Sequence, residues 1–228
     1  MANLKNKKNV VADKTIDVVE AIELLKKACQ EKQRKFVENV DLAINLTIDP
    51  KQSTQNIRGS VSLPAGSGKE VKVIVFTEDE ALQKDALAAG AVMAGLDDLM
   101  AKIEEGFLGF DYVVATPNAM KKMGKIAKIL GPRGLMPNPK NGNITTDVVK
   151  VVKEILKGKV DFKNDKFAIV HVGVGKISFS TEDLVKNIKA VISAIKEVKP
   201  EGVKGKYIKN IYLTSTMGPS FMINVDKQ

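Results

Sequence analysis

The chain has 228 residues, of which 44% are hydrophobic and 28% charged, as is typical of a globular protein with one large core or two smaller ones. One cysteine, Cys29, and one histidine, His171, exclude an internal disulfide and a Cys/His zinc site. No apolar run is long enough to span a bilayer, and the N-terminal segment MANLKNKKNV lacks the apolar centre of a signal peptide. We therefore expect a cytoplasmic protein without a membrane partner.

The positive charge is unevenly distributed. The formal net charge is +9, yet residues 68–157 contain 13 basic and 12 acidic residues, so nearly all of the excess lies in the two flanks. A basic protein favours an anionic partner such as nucleic acid, with a solvated basic surface as the alternative.

The N-terminal flank predicts a helix followed by two half-buried strands. Four side chains recur at helical spacing: Val18, Ile22, Leu25 and Cys29. This stripe predicts an amphipathic helix in which Cys29 is a buried thiol. Apolar and polar residues then alternate over 40–48 and again over 57–63, the pattern of strands with one buried face.

The central region has a different pattern. Residues 71–76 and 112–115 are short, nearly continuous apolar runs, as expected for strands covered on both faces. A weaker strand is predicted at 91–94, and helices are predicted at 78–89, 97–104, 117–130 and 147–157. Strands that alternate with helices indicate a parallel sheet in a Rossmann-like α/β domain of three layers.

The C-terminal flank again alternates. Strands are predicted at 160–162, from Phe167, at 211–213 and at 221–225, with a helix on Leu184, Ile188, Val191 and Ile195. We therefore predict an α+β split terminal domain with an antiparallel-rich sheet, formed by residues 1–67 and 159–228. Residues 68–158 form the inserted domain. Gly66, Gly68 and Gly158 lie at the two crossings, either as a hinge or as rigid turns.

The motifs of nucleotide-binding enzymes are incomplete. The segment GSGK resembles part of a phosphate loop, but Leu63 and Glu70 stand where glycine and Ser/Thr are required. The acidic segment TEDE follows the strand at 71–76, where it would repel a pyrophosphate. We predict no catalytic residue, no cofactor and no metal; a small-molecule enzyme that uses the central domain is the alternative.

Two segments of the flanks suit RNA. QRKFVENVDL places Arg34, Lys35 and Phe36 before a strand, so that two cations stand beside an aromatic ring that can stack on a base or sugar. The alternative is that Phe36 begins the core strand. The turn TSTMGPS at 214–220 offers hydroxyls and backbone near Gly218 to phosphates and 2′-hydroxyls, or is a plain hairpin turn.

Four motifs in order, KFVENVDLAINLTIDP, NIRGSVSLP, GPRGLMPNPK and TSTMGPS, resemble the bacterial large-subunit ribosomal protein L-one family, over nearly the whole chain. The resemblance implies a ribosomal protein that binds 23S rRNA and forms the mobile stalk. It also implies a part in releasing deacylated tRNA from the E site, and translational repression through the mRNA of its own operon. The protein is expected to be monomeric when free of the ribosome. A nonspecific basic scaffold is a further alternative.

The resemblance also implies which residues bind RNA: Lys35, Phe36, Thr216, Met217 and Gly218, and, from an HxxxGK stretch, His171, Gly175 and Lys176. Asn39 stands where relatives carry threonine, and it is assigned no hydroxyl contact.

The loop GPRGLMPNPKNG, residues 131–142, is interpreted as rigid, because three prolines fix its backbone. It follows a predicted helix end, where the dipole disfavours an anion. Arg133 and Lys140 are kept as auxiliary contacts to RNA or tRNA, since residues 111–157 contain 9 basic and 3 acidic residues.

Overall fold

The structure is a computed structural model that describes residues 15–32, 34–200, 203 and 205–224. The N-terminal segment MANLKNKKNV, which does not resemble a signal peptide, lies outside these residues. So does Val225, which is predicted to end the last strand. The chain forms two compact units: one comprises the chain up to Gly68 together with the chain from Val160, and the other is Lys69–Lys159. Both units combine helices with strands, which agrees with the predicted α+β class.

The strands are β1 (Asn39–Leu46), β2 (Arg58–Ser62), β3 (Val73–Phe76), β4 (Met93–Gly95), β5 (Tyr112–Ala115), β6 (Lys159–Lys163), β7 (Ile169–Lys176), β8 (Ile208–Ser215) and β9 (Ser220–Ile223). The helices are α1 (Val18–Glu31), α2 (Glu80–Ala88), α3 (Asp97–Glu104), α4 (Pro117–Lys122), α5 (Ala127–Leu130), α6 (Val148–Leu156) and α7 (Thr181–Glu197). None of these helices is both long and apolar enough to cross a membrane.

The first unit is built on a four-stranded antiparallel sheet in the order β7-β1-β8-β9, beside a two-stranded sheet of β2 and β6. In β1 every second side chain is buried, from Val40 to Leu46. These side chains join one apolar core with the buried stripes of α1 and α7. Burial of one face explains why the strands of the flanks alternate in sequence.

The second unit contains a three-stranded parallel sheet in the order β4-β3-β5. Alternate side chains of β3 pack into two different apolar cores, one on each face of the sheet. Ile74 and Phe76 pack with residues of α3, α4 and α5, whereas Val73 and Val75 pack with residues of α2 and α6. Because both faces are covered, all four residues of β3 are buried and the strand is apolar throughout.

Two sequence predictions were wrong in detail. Residues 117–130 do not form one helix: α4 ends at Lys122, a 3-10 turn spans Met123–Lys125, and α5 begins at Ala127. Gly124 lies inside this turn, and glycine in a helix interior costs about 1 kcal/mol relative to alanine. Cys29 is half-buried rather than buried, because it lies in the last turn of α1, where its Sγ is 3.5 Å from Ser215 Oγ.

Gly175 marks an irregularity in β7. The β1–β7 register shifts between Val40, opposite Gly175, and Asp41, opposite Gly173. Gly175 has a φ of 150°, and a Cβ at this position would lie 3.0 Å from the Phe179 ring and 3.1 Å from Leu184. A side chain at position 175 would therefore crowd Phe179 and Leu184 at this bend of β7.

We expect Gly175→Ala to lower the free energy of unfolding by about 2 kcal/mol, from backbone strain and overpacking. Urea denaturation followed by circular dichroism measures the change. Gly124→Ala is the matched control, since no atom lies within 4 Å of the added methyl and its φ is ordinary. Equal stability of the two variants would contradict the structural role of Gly175.

Candidate nucleic-acid interface

Strand order brings separate segments to one end of the four-stranded sheet. Asn39 at the start of β1 pairs with Lys176 at the end of β7, and Val40 pairs with Ser215 at the end of β8. The segment before β1, the end of β7 and the turn after β8 therefore meet there. We call this the strand-end surface: Lys35, Phe36, Lys176, Thr216, Met217 and Gly218.

The strand-end surface presents large apolar side chains to solvent. Phe36 is 52% exposed and Met217 is 63% exposed, so Phe36 does not begin the core strand. The first buried apolar residue of β1 is Val40. Exposed apolar side chains next to the exposed Lys35 combine a stacking surface with positive charge, the combination that single-stranded nucleic acid requires.

A buried carboxylate joins the two segments that carry these side chains. Glu38 is 3% exposed and forms an ion pair with Arg34. The N–H of Met217 donates to Glu38 Oε2 over 3.2 Å, and Arg34 Nη2 donates to the carbonyl oxygen of Met217 over 2.8 Å. The 34–38 segment thus binds both the N–H and the carbonyl group of Met217 in the turn.

Glu38 keeps its charge at neutral pH despite its burial. Burial raises the pKa of this carboxyl group, but hydrogen bonds from the Ser215 hydroxyl, the Met217 N–H and Arg34 outweigh the effect and lower the pKa below its ordinary value. The Arg34 charge is thereby compensated within the protein. Lys35 and Lys176 supply positive charge at this end of the sheet.

Thr216 and Gly218 both have structural reasons for their identity. Thr216 donates its N–H to the carbonyl oxygen of Asn39 over 3.1 Å, and its Oγ1 accepts from the N–H of Asn39 over 3.0 Å. A Cβ at Gly218 would lie 2.1 Å from Ser215 Oγ. A side chain at 218 would therefore force the Ser215 hydroxyl to turn aside, and the Thr216 hydroxyl supports the start of β1.

Two residues implied by the HxxxGK stretch do not form part of the strand-end surface: His171 lies far along the strand, and Gly175 is buried. His171 pairs with Ala43 in the middle of β7, five residues and roughly 16 Å along the strand from Lys176. Its Nε2 lies 4.0 Å from Asp165 Oδ2. Gly175 is buried beneath Phe179. Of this stretch only Lys176 joins the strand-end surface.

The other predicted residues lie elsewhere in the chain. Arg133 and Lys140 belong to the second unit, where both are exposed on the 131–142 loop. The loop follows the end of α5 at Leu130, as expected, and successive turn hydrogen bonds hold it, including one of 2.9 Å from Lys140 N–H to Asn138 Oδ1. Gly66, Gly68 and Gly158 have left-handed φ values of 76°, 68° and 109°. Their action as a hinge stays a prediction.

Sequence reasoning missed Glu38 and Ser215, which position the surface without belonging to it. The i,i+4 spacing of Arg34 and Glu38 is a recognisable ion-pair signal. Nothing in the spacing indicates that Ser215, 177 residues away, completes the group. Among the residues that the structure describes, no cluster of His, Cys, Asp and Glu is arranged to hold a metal ion.

We expect Glu38→Gln to lower the free energy of unfolding by about 2 kcal/mol at neutral pH, because the amide loses charge-assisted hydrogen bonds. A carboxyl group whose folded pKa is lowered stabilises the protein above its unfolded pKa of about 4.5, and this contribution is lost as pH falls through the folded value. The stability gap between wild type and variant should therefore close below pH 4.5. Urea titrations between pH 3 and 7 test this, with the exposed Glu182→Gln as control; a constant gap would refute the account.

Comparisons with known proteins agree with these features. Residues 24–219 match the model of the "Ribosomal protein L1p/L10e family". The chain is 48% identical to "Large ribosomal subunit protein uL1" of Persephonella marina over 97% of this chain and 92% of the relative. It is 44% identical to the protein of that name from Shewanella frigidimarina, over 98% and 97%, and 47% identical to that of Dechloromonas aromatica, over 94% and 91%. This is a family of structural ribosomal proteins, which confirms the prediction that the chain is not an enzyme. The chain belongs to the ribosomal protein L1p/L10e family, as its motifs indicated.

Proposed function

We propose that the chain is a structural RNA-binding protein of the large ribosomal subunit, which binds 23S rRNA through the strand-end surface and forms the mobile stalk. In the cytoplasmic ribosome it takes part in the release of deacylated tRNA from the E site. It also represses translation by binding the mRNA of its own operon. When free of the ribosome it is a monomer, and it uses no cofactor.

The observation that carries this proposal is the convergence of Phe36 and the 216–218 turn at one end of the sheet, in a family of ribosomal proteins. Phe36 stacks on a base or sugar, and carbonyl oxygens of the turn accept from ribose hydroxyls, since the N–H groups of residues 216–218 are used within the protein. Lys35 and Lys176 add the salt-dependent attraction to phosphates.

The Glu38 contacts favour specific binding because they fix the surface before RNA arrives. A flexible surface loses conformational entropy on binding, which weakens the complex. Here Arg34 and the Met217 backbone are already held by a buried carboxylate. The rRNA therefore binds to a preformed turn. We propose that the same turn binds the mRNA of the protein's own operon.

We also propose that the inserted domain predicted at residues 68–158, which corresponds to the second unit, is Rossmann-like and makes auxiliary contacts to RNA or tRNA. The parallel sheet with apolar cores on both faces supports this assignment. Arg133 and Lys140 are the contact residues, and Gly66, Gly68 and Gly158 allow the domain to move with the stalk.

The protein should bind a fragment of the stalk rRNA at least a hundredfold more tightly than an unrelated hairpin at moderate salt. Thr216→Ala should reduce this preference, because the start of β1 loses its hydroxyl support. Filter binding at several salt concentrations measures both affinities. Equal affinity for the two RNAs, lost in parallel as salt rises, would indicate a nonspecific basic scaffold instead.

Phe36→Ala should weaken binding of the stalk rRNA by about tenfold or more, the effect of one stacked base. The melting temperature of the Phe36→Ala protein should stay within about a degree of that of wild type, since the Phe36 ring is exposed. Phe167→Ala is a matched control: Phe167 is 69% exposed and lies before β7, outside the strand-end surface. Equal losses for the two variants would show that the position of Phe36 is unimportant.

A further inference from the structure

A cavity of about 480 Å³ opens beside the strand-end surface. Its walls come from the last turn of α1, from the 34–38 segment and from the turn after β7, and we call it the phenylalanine cavity. Among its lining residues are Cys29, Gln30, Phe36, Val37, Ser178 and Phe179. Its size lies within the range of small-molecule sites.

The walls of the phenylalanine cavity carry side chains of the kind that bind a nucleobase. Phe36 and Phe179 offer aromatic rings for stacking, and Val37, which is 53% exposed, adds an apolar edge. Gln30 and Ser178 bring side-chain donors and acceptors of the kind that read the edges of a base.

One of the rings is fixed in place by glycines. A Cβ at Gly68 would lie 2.8 Å from the Phe179 ring, and a Cβ at Gly175 would lie 3.0 Å from it. The ring therefore packs directly on two stretches of backbone. A preformed aromatic wall reduces the entropy cost of stacking.

The charges around the phenylalanine cavity are engaged within the protein. Lys26 Nζ donates to the carbonyl oxygen of Phe179 over 2.7 Å and to Thr181 Oγ1 over 3.2 Å. Arg34 pairs with Glu38. A neutral, flat ligand suits this environment better than a free anion, and the exposed Lys35 lies next in the chain to Phe36 for a phosphate that accompanies the ligand.

We propose that the phenylalanine cavity receives one unpaired base of the bound RNA, splayed out of its stack and held between aromatic side chains. This inference rests on the proposed function, because it names what the RNA inserts beside the strand-end surface. Unpaired bases are the parts of an RNA that can leave the stack at low cost.

Cys29 provides a direct test, since it is the only cysteine of the chain and lines the cavity. The rate of its alkylation by iodoacetamide should fall at least tenfold when wild-type protein is saturated with the stalk rRNA fragment. Unchanged alkylation in a complex shown to form by gel shift would overturn the cavity proposal and leave the proposed function intact. Absence of any specific complex would overturn both.

A cavity-filling variant distinguishes an inserted base from RNA that merely covers the opening. Ser178→Trp should reduce the affinity for stalk rRNA at least tenfold, whereas Ser178→Ala, which leaves the cavity open and removes one hydroxyl, should reduce it no more than about threefold, the effect of one hydrogen bond. One unpaired nucleotide, replaced by an abasic site, should cause a similar loss, and combining it with Ser178→Trp should add little further. Full affinity of a folded Ser178→Trp protein, or additive losses at every abasic position, would overturn the proposal.

Discussion

The geometry of the candidate interface depends on one buried carboxylate. Glu38 has lost its water and is compensated by donors from three places: Arg34 on its own segment, the Met217 backbone and the Ser215 hydroxyl. A buried charge with part of its donor set missing is strongly disfavoured, so these groups are ordered together. The exposed Phe36 and Met217 are held in place by a contact whose carboxylate is almost fully buried.

The sheet order supplies the framework for this contact. β1 lies between β7 and β8, so the chain before β1 is a neighbour of both the end of β7 and the end of β8. Residues 35 and 217 are far apart in sequence, and antiparallel pairing of β1 with β8 brings them to the same end of the sheet. The Phe179 ring lies at the same end of the sheet, where Gly68 and Gly175 allow it to pack directly onto the backbone.

Local patterns predicted much of this architecture. The alternation from Val40 and the continuous apolar run of β3 gave correct strands, because burial on one face or on two leaves a direct record in sequence. The pattern at 117–130 failed because an apolar period does not show where a glycine interrupts the hydrogen bonds of a helix. Phe36 and Thr216 could be chosen by residue type and family resemblance, whereas the role of Glu38 depends on tertiary neighbours that no spacing reveals.

The close approach of Gly218 to Ser215 has a consequence for how the sequence can vary through evolution. Any side chain at 218 would collide with the Ser215 hydroxyl, and removing that hydroxyl to make room would deprive Glu38 of a donor. Loss of Glu38 would in turn remove the ion pair of Arg34. Substitutions at these positions are therefore energetically coupled, because a change at one of them alters the contacts that hold the others.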